Sequence, residues 1–319
     1  VTKTYEGGDP LAEVVRSGFV EGAHRGSVVV LDAAGAVLAS AGDVTSPIFP
    51  RSASKPMQAI GMLRAGLPLT DPADVALVAA SHAGEDFHLA RVGALLDRAG
   101  LDASALHCPP DLPVGAAARE GVLRAGGGPT RVQMNCSGKH SGMLLTCEAA
   151  GWPLEGYWRP EHPLQQRLRA AIEEFTGEQA AAVGVDGCGA PVLAVSLTGL
   201  AGAFLRLVDA EPGSVPRTVA DAMRAYPEIV GGTQADDTRL MRGVPGLLAK
   251  VGAEGVIAVA VPGVGAVALK IDDGADRARM PVLVSALRRL GVDAPVLTEY
   301  AEVPLFGGGV PVGAVRPLW

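Results

Sequence analysis

The chain of 319 residues is short of cysteine, of clustered basic charge, of long apolar runs and of lysine, and each shortage closes off a class of protein. Four cysteines (Cys108, Cys136, Cys147 and Cys188) in a chain this long do not make a disulfide framework. The formal charge is −7, from 27 basic and 34 acidic residues, and no lysine/arginine cluster offers the basic surface that nucleic acid or an anionic membrane needs. The expected partner is a small molecule, with no nucleic acid and no membrane. The longest uncharged stretch, residues 187–205, holds Pro191, Ser196, Thr198 and four glycines, which reads as a buried turn and helix and not as a bilayer span. Residues 1–15 are polar and mixed in charge, without the basic-then-apolar order of a secretion signal. The expectation is therefore a cytoplasmic location with reduced thiols. No low-complexity tract, linker or internal repeat stands out.

What is present suits a globular enzyme: 48% of residues are hydrophobic and 19% charged, in a chain long enough to bury a large core. SVVVLD (27–32) and AVLASA (36–41) are apolar runs joined at residues 33–35, a β-hairpin pattern. VIAVAV (256–261) and GAVALKID (265–272) repeat that pattern around residues 262–263, followed by a helical stretch over 276–290 and a last strand near 309–315. The middle reads as helices over 73–80, 86–99, 115–125, 138–150, 163–175, 191–207 and 216–225. The expected fold class is α/β (α+β): residues 1–65 and 246–319 build one antiparallel sheet from both chain ends, flanked by helices. Residues 66–245 form a mostly helical region, the whole being one compact unit.

Of the 27 basic residues only Lys3, Lys55, Lys139, Lys250 and Lys270 are lysine. Arginine stays protonated, whereas a buried lysine can lose its proton and serve as a base or a metal ligand. Lys55, Lys139 and Lys270 each sit in a short polar island. RSASKP (51–56) is a Ser-x-x-Lys at the mouth of a helix, with hydroxyl and ammonium one turn apart. Free N–H groups at such a helix start can hold an oxyanion, and Pro56 predicts a tightened or broken first turn. The plainer alternative is that Ser52 or Ser54 caps the helix and Lys55 is solvated. SHAGE (81–85) follows an apolar run, where active-site residues are often presented; Ser81 and Glu85 also fit a capping box.

NCSGKH (135–140) and DGCGAP (186–191) each set a cysteine in a turn of small residues. Two thiolates with a nitrogen donor suit zinc, although the spacing is not that of a zinc finger and cysteine is also a frequent buried hydrophobe. Cys108 and Cys147 fit that second description. In GAVALKIDDG (265–274) the late-strand Lys270 points into a face or cleft, or guards a sheet edge.

The ordered set RSASKPMQA (51–59), SHAGE (81–85), NCSGKHSGML (135–144), DGCGAP (186–191) and ALKIDDG (268–274) resembles the thermolabile, rhizobial-type L-asparaginases, the asparaginase II family. VRSGFVEGAHRGSVVVLDAAG (15–35) resembles that family's opening segment, so the likeness spans nearly the whole chain. It implies a fold like that of serine β-lactamases and serine-dependent glutaminases. It implies two catalytic pairs, Ser52 with Lys55 and Ser81 with Lys270, and a zinc site on Cys136, Lys139 and Cys188, with no organic cofactor. It also implies a homodimer. The expected reaction is cleavage of the side-chain amide of L-asparagine to aspartate and ammonia through an acyl-enzyme. Ser52 is the expected nucleophile with Lys55 as its base, and Ser81 with Lys270 the internal rival. Arg51, His82 and Asp186 are candidates for binding the substrate. Three other readings compete: an amino-acid racemase with Cys136 and Cys188 as an acid–base pair, a β-lactam or glutamine hydrolase on the same fold, and a metal- or amino-acid-binding protein.

Overall fold

The computed structural model describes residues 4–319; Lys3 lies outside the described residues. The chain opens with strands β1 (Asp9–Arg16), β2 (Phe19–Asp32), β3 (Val37–Ala41) and the two-residue β4 (Pro47–Ile48). A 3₁₀ turn over Arg51–Ser54 then runs into α1 (Lys55–Arg64). The middle carries α2 (Pro72–Val78), α3 (Asp86–Arg98), α4 (Ala116–Arg124), α5 (Ser137–Ala150) and α6 (Pro163–Thr176). Short strands β5 (Val183–Val185), β6 (Pro191–Leu193) and β7 (Val195–Ser196) precede α7 (Leu197–Val208), α8 (Val215–Ala225), α9 (Pro227–Val230) and α10 (Asp236–Gly243). The chain closes with β8 (Leu248–Val251), β9 (Val256–Val261), β10 (Gly265–Ile271), α11 (Asp276–Arg289), α12 (Pro295–Tyr300), β11 (Val303–Gly307) and β12 (Val310–Pro317).

The expected sheet from both chain ends is there. Its order is β11-β12-β1-β2-β10-β9-β8, with β3 also paired to β2, and each of these pairings is antiparallel. First and last strands meet directly, Val14 opposite Val315. The hairpin at residues 33–35 closes as read, with Gly35 at φ +82° where a side chain would be strained. Strands β9 and β10 are buried on both faces, which is why they read as continuous apolar runs. Helix α7 packs on β2, β9 and β10, and α11 packs on β1, β2, β10 and β12. Among the described residues no helix is long and apolar enough to cross a membrane, and the stretch 187–205 resolves into a turn, two short strands and most of α7.

Three differences from the sequence reading have physical causes. Strand β2 begins at Phe19, well before the apolar run, because its polar first half is held by backbone pairing to β1 and not by burial. Helix α7 starts at Leu197 and not at 191: the Ser196 hydroxyl accepts from Gly199 N–H, and that cap fixes the start. Strands β8 and β11 and helices α9, α10 and α12 are short, and none carries a full period of apolar residues.

Candidate active site

The tightened turn expected at Pro56 is the 3₁₀ segment Arg51–Ser54, and it places Ser52 at the start of a helix that becomes α1 at Lys55. Arg51, just before the serine, holds φ +52°, a left-handed value that side-chain-bearing residues seldom adopt. Gly252, just beyond β8, lies so close to this turn that a Cβ there would sit 2.4 Å from Pro50 O. The turn and the end of β8 are thereby pressed together. Helix α5 is drawn onto α2 in a similar way: a Cβ at Gly142 would lie 2.5 Å from Val78 Cγ1, and one at Gly138 2.8 Å from Leu77 O. That close crossing brings Cys136, at the N-cap of α5, to the segment that follows α2. Ser81 is stapled in place from both sides, since its N–H donates to Val230 O at 2.9 Å and the next N–H, of His82, to Asn135 O at 3.0 Å.

Lys55 is buried (1% exposed), and its Nζ donates to Ala80 O at 2.5 Å, Ser81 Oγ at 2.9 Å and Cys136 Sγ at 3.0 Å. Among the described residues it makes no hydrogen bond to Ser52. The serine–lysine hydrogen bond therefore joins the lysine of the first expected pair to the serine of the second. Ser52 and Ser81 line one cavity of about 780 Å³, together with Glu85, Asn135, Asp237, Lys250 and Arg279 among others. Lys270 does not line it. Its Nζ donates to Glu254 O at 2.9 Å, near the end of β10 and away from Ser81 Oγ.

The lysine that does line the cavity beside the serines is Lys250, which the motif reading passed over. Its Nζ donates to Asp237 Oδ2 at 3.2 Å and to Val251 O at 2.8 Å, and Val251 N–H donates to Asp237 Oδ1 at 2.8 Å. Burial pushes Lys250 below the ordinary lysine range, the Asp237 carboxylate opposes that shift, and the positive charge of Lys55 adds to it.

The three substrate-binding candidates fall differently. Arg51 Nε donates to Asp186 Oδ1 at 2.6 Å, with Glu254 3.8 Å from its other end, so Arg51 and Asp186 are partners of one another. His82 is fully buried; its Nε2–H donates to Ser137 Oγ at 2.9 Å, and Ser137 Oγ donates to Val132 O at 2.7 Å. Burial, with His88 and Lys55 nearby, keeps His82 neutral. His82 supports the loop that carries Ser81 and does not face the cavity.

The metal candidates do converge. Cys136 Sγ–H donates to Asn135 Oδ1 at 3.2 Å. Cys136 nearby, with Lys139 and His140, holds Cys188 well below the usual thiol range, while Cys188 and burial push Cys136 up. Lys139 Nζ donates to Cys188 Sγ at 3.2 Å; burial works against its charge, but the two sulfurs hold it as an ammonium. Buried His140 bonds Tyr157 Oη at 2.7 Å through Nδ1 and leaves Nε2 without a partner. Among the described residues no group of three or more His, Cys, Asp or Glu is placed to hold a metal. The donor set is thus two sulfurs and an amine, which fits a soft or borderline ion once Lys139 gives up its proton. All four cysteines are free and buried.

The family described as L-asparaginase II matches residues 12–317. A search of curated proteins gave no match. Among solved structures, Mglu in its native form is 16% identical, with a TM-score of 0.43, over 83% of this chain and 63% of that one. The chain thus spans about 63% of the length of that Mglu structure. A simvastatin synthase from Aspergillus terreus, the LovD6 mutant of LovD, is 14% identical, with a TM-score of 0.37, over 86% of this chain and 93% of that one.

Proposed function

The chain belongs to the L-asparaginase II family, and we propose that it is an amidohydrolase that cleaves the side-chain amide of L-asparagine, with Ser52 as nucleophile, through a β-aspartyl ester. The observation that carries the mechanism is the hydrogen bond from Lys55 Nζ to Ser81 Oγ at 2.9 Å, with Ser81 lining the same cavity as Ser52.

The amide N–H groups of Ser81 and His82 are already bonded to Val230 O and Asn135 O. Ser52 instead opens a helix, whose first N–H groups have no intrahelical acceptors and can receive a developing oxyanion. In the first step Ser52 Oγ bonds to the amide carbon, and its proton passes by way of Ser81 Oγ to Lys55, which takes it as the neutral amine. The proton then passes from Lys55 through Ser81 to the amide nitrogen, which leaves as ammonia. Water hydrolyses the ester along the same proton path in reverse and releases aspartate. Zinc on Cys136, Cys188 and Lys139 is part of the proposal; bound there, it would supply a fixed positive charge beside Lys55.

Ammonia release from L-asparagine tests this, with mass spectrometry of denatured enzyme to trap the ester. Ser52→Ala is expected to lose at least about 10³-fold in kcat and to form no adduct. Near wild-type turnover by Ser52→Ala sinks the nucleophile assignment, and a wild type that releases no ammonia sinks the function.

A further inference from the structure

We propose that Asp237 is a positioning residue for this reaction, one that holds Lys250 as an ammonium at the wall of the serine cavity. There Lys250 acts as a fixed positive charge and hydrogen-bond donor, and not as a base or acid. The inference rests on the serine amidohydrolase reading above.

The geometry separates the two lysines of the site. Lys55 has three hydrogen-bond acceptors, a carbonyl, a hydroxyl and a sulfur, and no carboxylate among them. Lys250 has a carboxylate, and that carboxylate is itself fixed. Asp237 sits in the first turn of α10, and its Oδ1 is taken by Val251 N–H at 2.8 Å. Only Oδ2 is left for Nζ, at 3.2 Å, while Val251 O accepts a second Nζ hydrogen at 2.8 Å. Both side chains are buried, Lys250 at 0% and Asp237 at 3% exposure, and both line the cavity that holds Ser52 and Ser81. A carboxylate locked by a backbone amide cannot swing away when the lysine changes charge, so the pair favours the ammonium throughout a turnover. The titratable groups acting on Lys250 from the packed elements are Asp237 of α10, Lys55 of α1 and Cys136 ahead of α5. Burial and Lys55 favour the neutral amine, and Asp237 is the first among the groups that oppose them.

A purely structural Asp237 would affect stability and leave the pH dependence alone. The test is therefore kcat/KM for ammonia release from L-asparagine between pH 5 and 10, in wild type, Asp237→Asn and Asp237→Glu, with thermal melts to show folding. Asparagine can still accept from Val251 N–H but withdraws the negative charge, so Lys250 gives up its proton at lower pH. The alkaline limb of Asp237→Asn is expected to move down by a pH unit or more, and Asp237→Glu to restore it toward wild type. A limb in folded Asp237→Asn that coincides with wild type overturns the proposal. Should Asp237→Asn not fold, Lys250→Arg decides, because arginine keeps its charge. Retained activity with the alkaline limb raised supports the fixed-charge role, whereas a folded but inactive Lys250→Arg means that Lys250 must release its proton and overturns it. A wild type with no asparaginase activity would overturn the amidohydrolase reading and this inference with it. An active wild type with an unmoved Asp237→Asn limb overturns the inference alone.

Discussion

Replacing Lys250 with methionine leaves Asp237 as a buried carboxylate with, among the described residues, one remaining hydrogen bond, from Val251 N–H. Breaking a buried pair by removing one partner costs about 3–5 kcal/mol, because the other charge stays uncompensated. With an unfolding entropy of about 2.1 cal/mol/K per residue, a chain of this length should melt about 5–7 °C lower. Lys55→Met is the internal control. It removes a buried lysine that has no carboxylate partner, so no uncompensated charge is left behind, and the roughly 1–3 kcal/mol lost in unsatisfied acceptors is set against relief of burying a polar group. Its melting point should stay within about 2 °C of wild type. The double variant Lys250→Met/Asp237→Asn, with both charges gone, should recover most of what Lys250→Met loses, giving a coupling energy of about 2–3 kcal/mol. Calorimetric melts at one protein concentration and pH 7.5 compare these three variants with wild type and with Asp237→Asn, the single variant that closes the cycle. Lys250→Met melting within a degree of wild type, or a double variant no better than the single, would refute the view of the pair as buried and mutually dependent.

Three further variants test the packing and the sulfurs. Gly142→Ala places a methyl 2.5 Å from Val78 Cγ1 across the α5–α2 contact and should cost about 1–3 kcal/mol in urea unfolding. Gly121→Ala on exposed α4, where a methyl meets nothing within 4 Å, should instead stabilise by about 0.5–1 kcal/mol. Cys188→Ser should lower zinc content, measured by elemental analysis of protein dialysed against limiting zinc, because a serine hydroxyl is a far poorer zinc ligand than a thiolate. Equal zinc in both proteins would remove Cys188 from the proposed metal site.

The sheet was readable in the sequence where burial shaped composition. Strands β9 and β10 are buried on both faces and show as unbroken apolar runs, and the β2–β3 hairpin is marked by Gly35. Strand β1 was not readable, because the partners that hold it, β2 and β12, lie next to it in sequence and at the opposite end of the chain. The site was legible one island at a time. Ser52, Lys55, Ser81, Cys136, Lys139 and Cys188 all lie in short motifs, and the fold gathers them through the α5–α2 crossing and the press of Gly252 on the turn at Pro50. Who partners whom was not legible. Lys55 turns from the serine three residues before it to the one 26 residues after it.

The scarcity of lysine drew notice to Lys270 and not to Lys250, the lysine that lines the cavity with the serines, for a physical reason. Lys250 and Lys270 both lie in apolar strands, and Lys270 drew notice because polar residues follow it. Those residues mark a strand end: Lys270 is only half-buried, and backbone carbonyls accept its protons. Lys250 sits inside Leu248–Val251 with no polar neighbour, fully buried. An ammonium cannot stay in such a place without an acceptor charge, so the bare apolar setting was itself the stronger sign that a partner lies elsewhere in the chain. That partner, Asp237, lies 13 residues upstream on α10, an element too short to announce itself. A lone lysine in a short apolar strand thus points to an acid in another element.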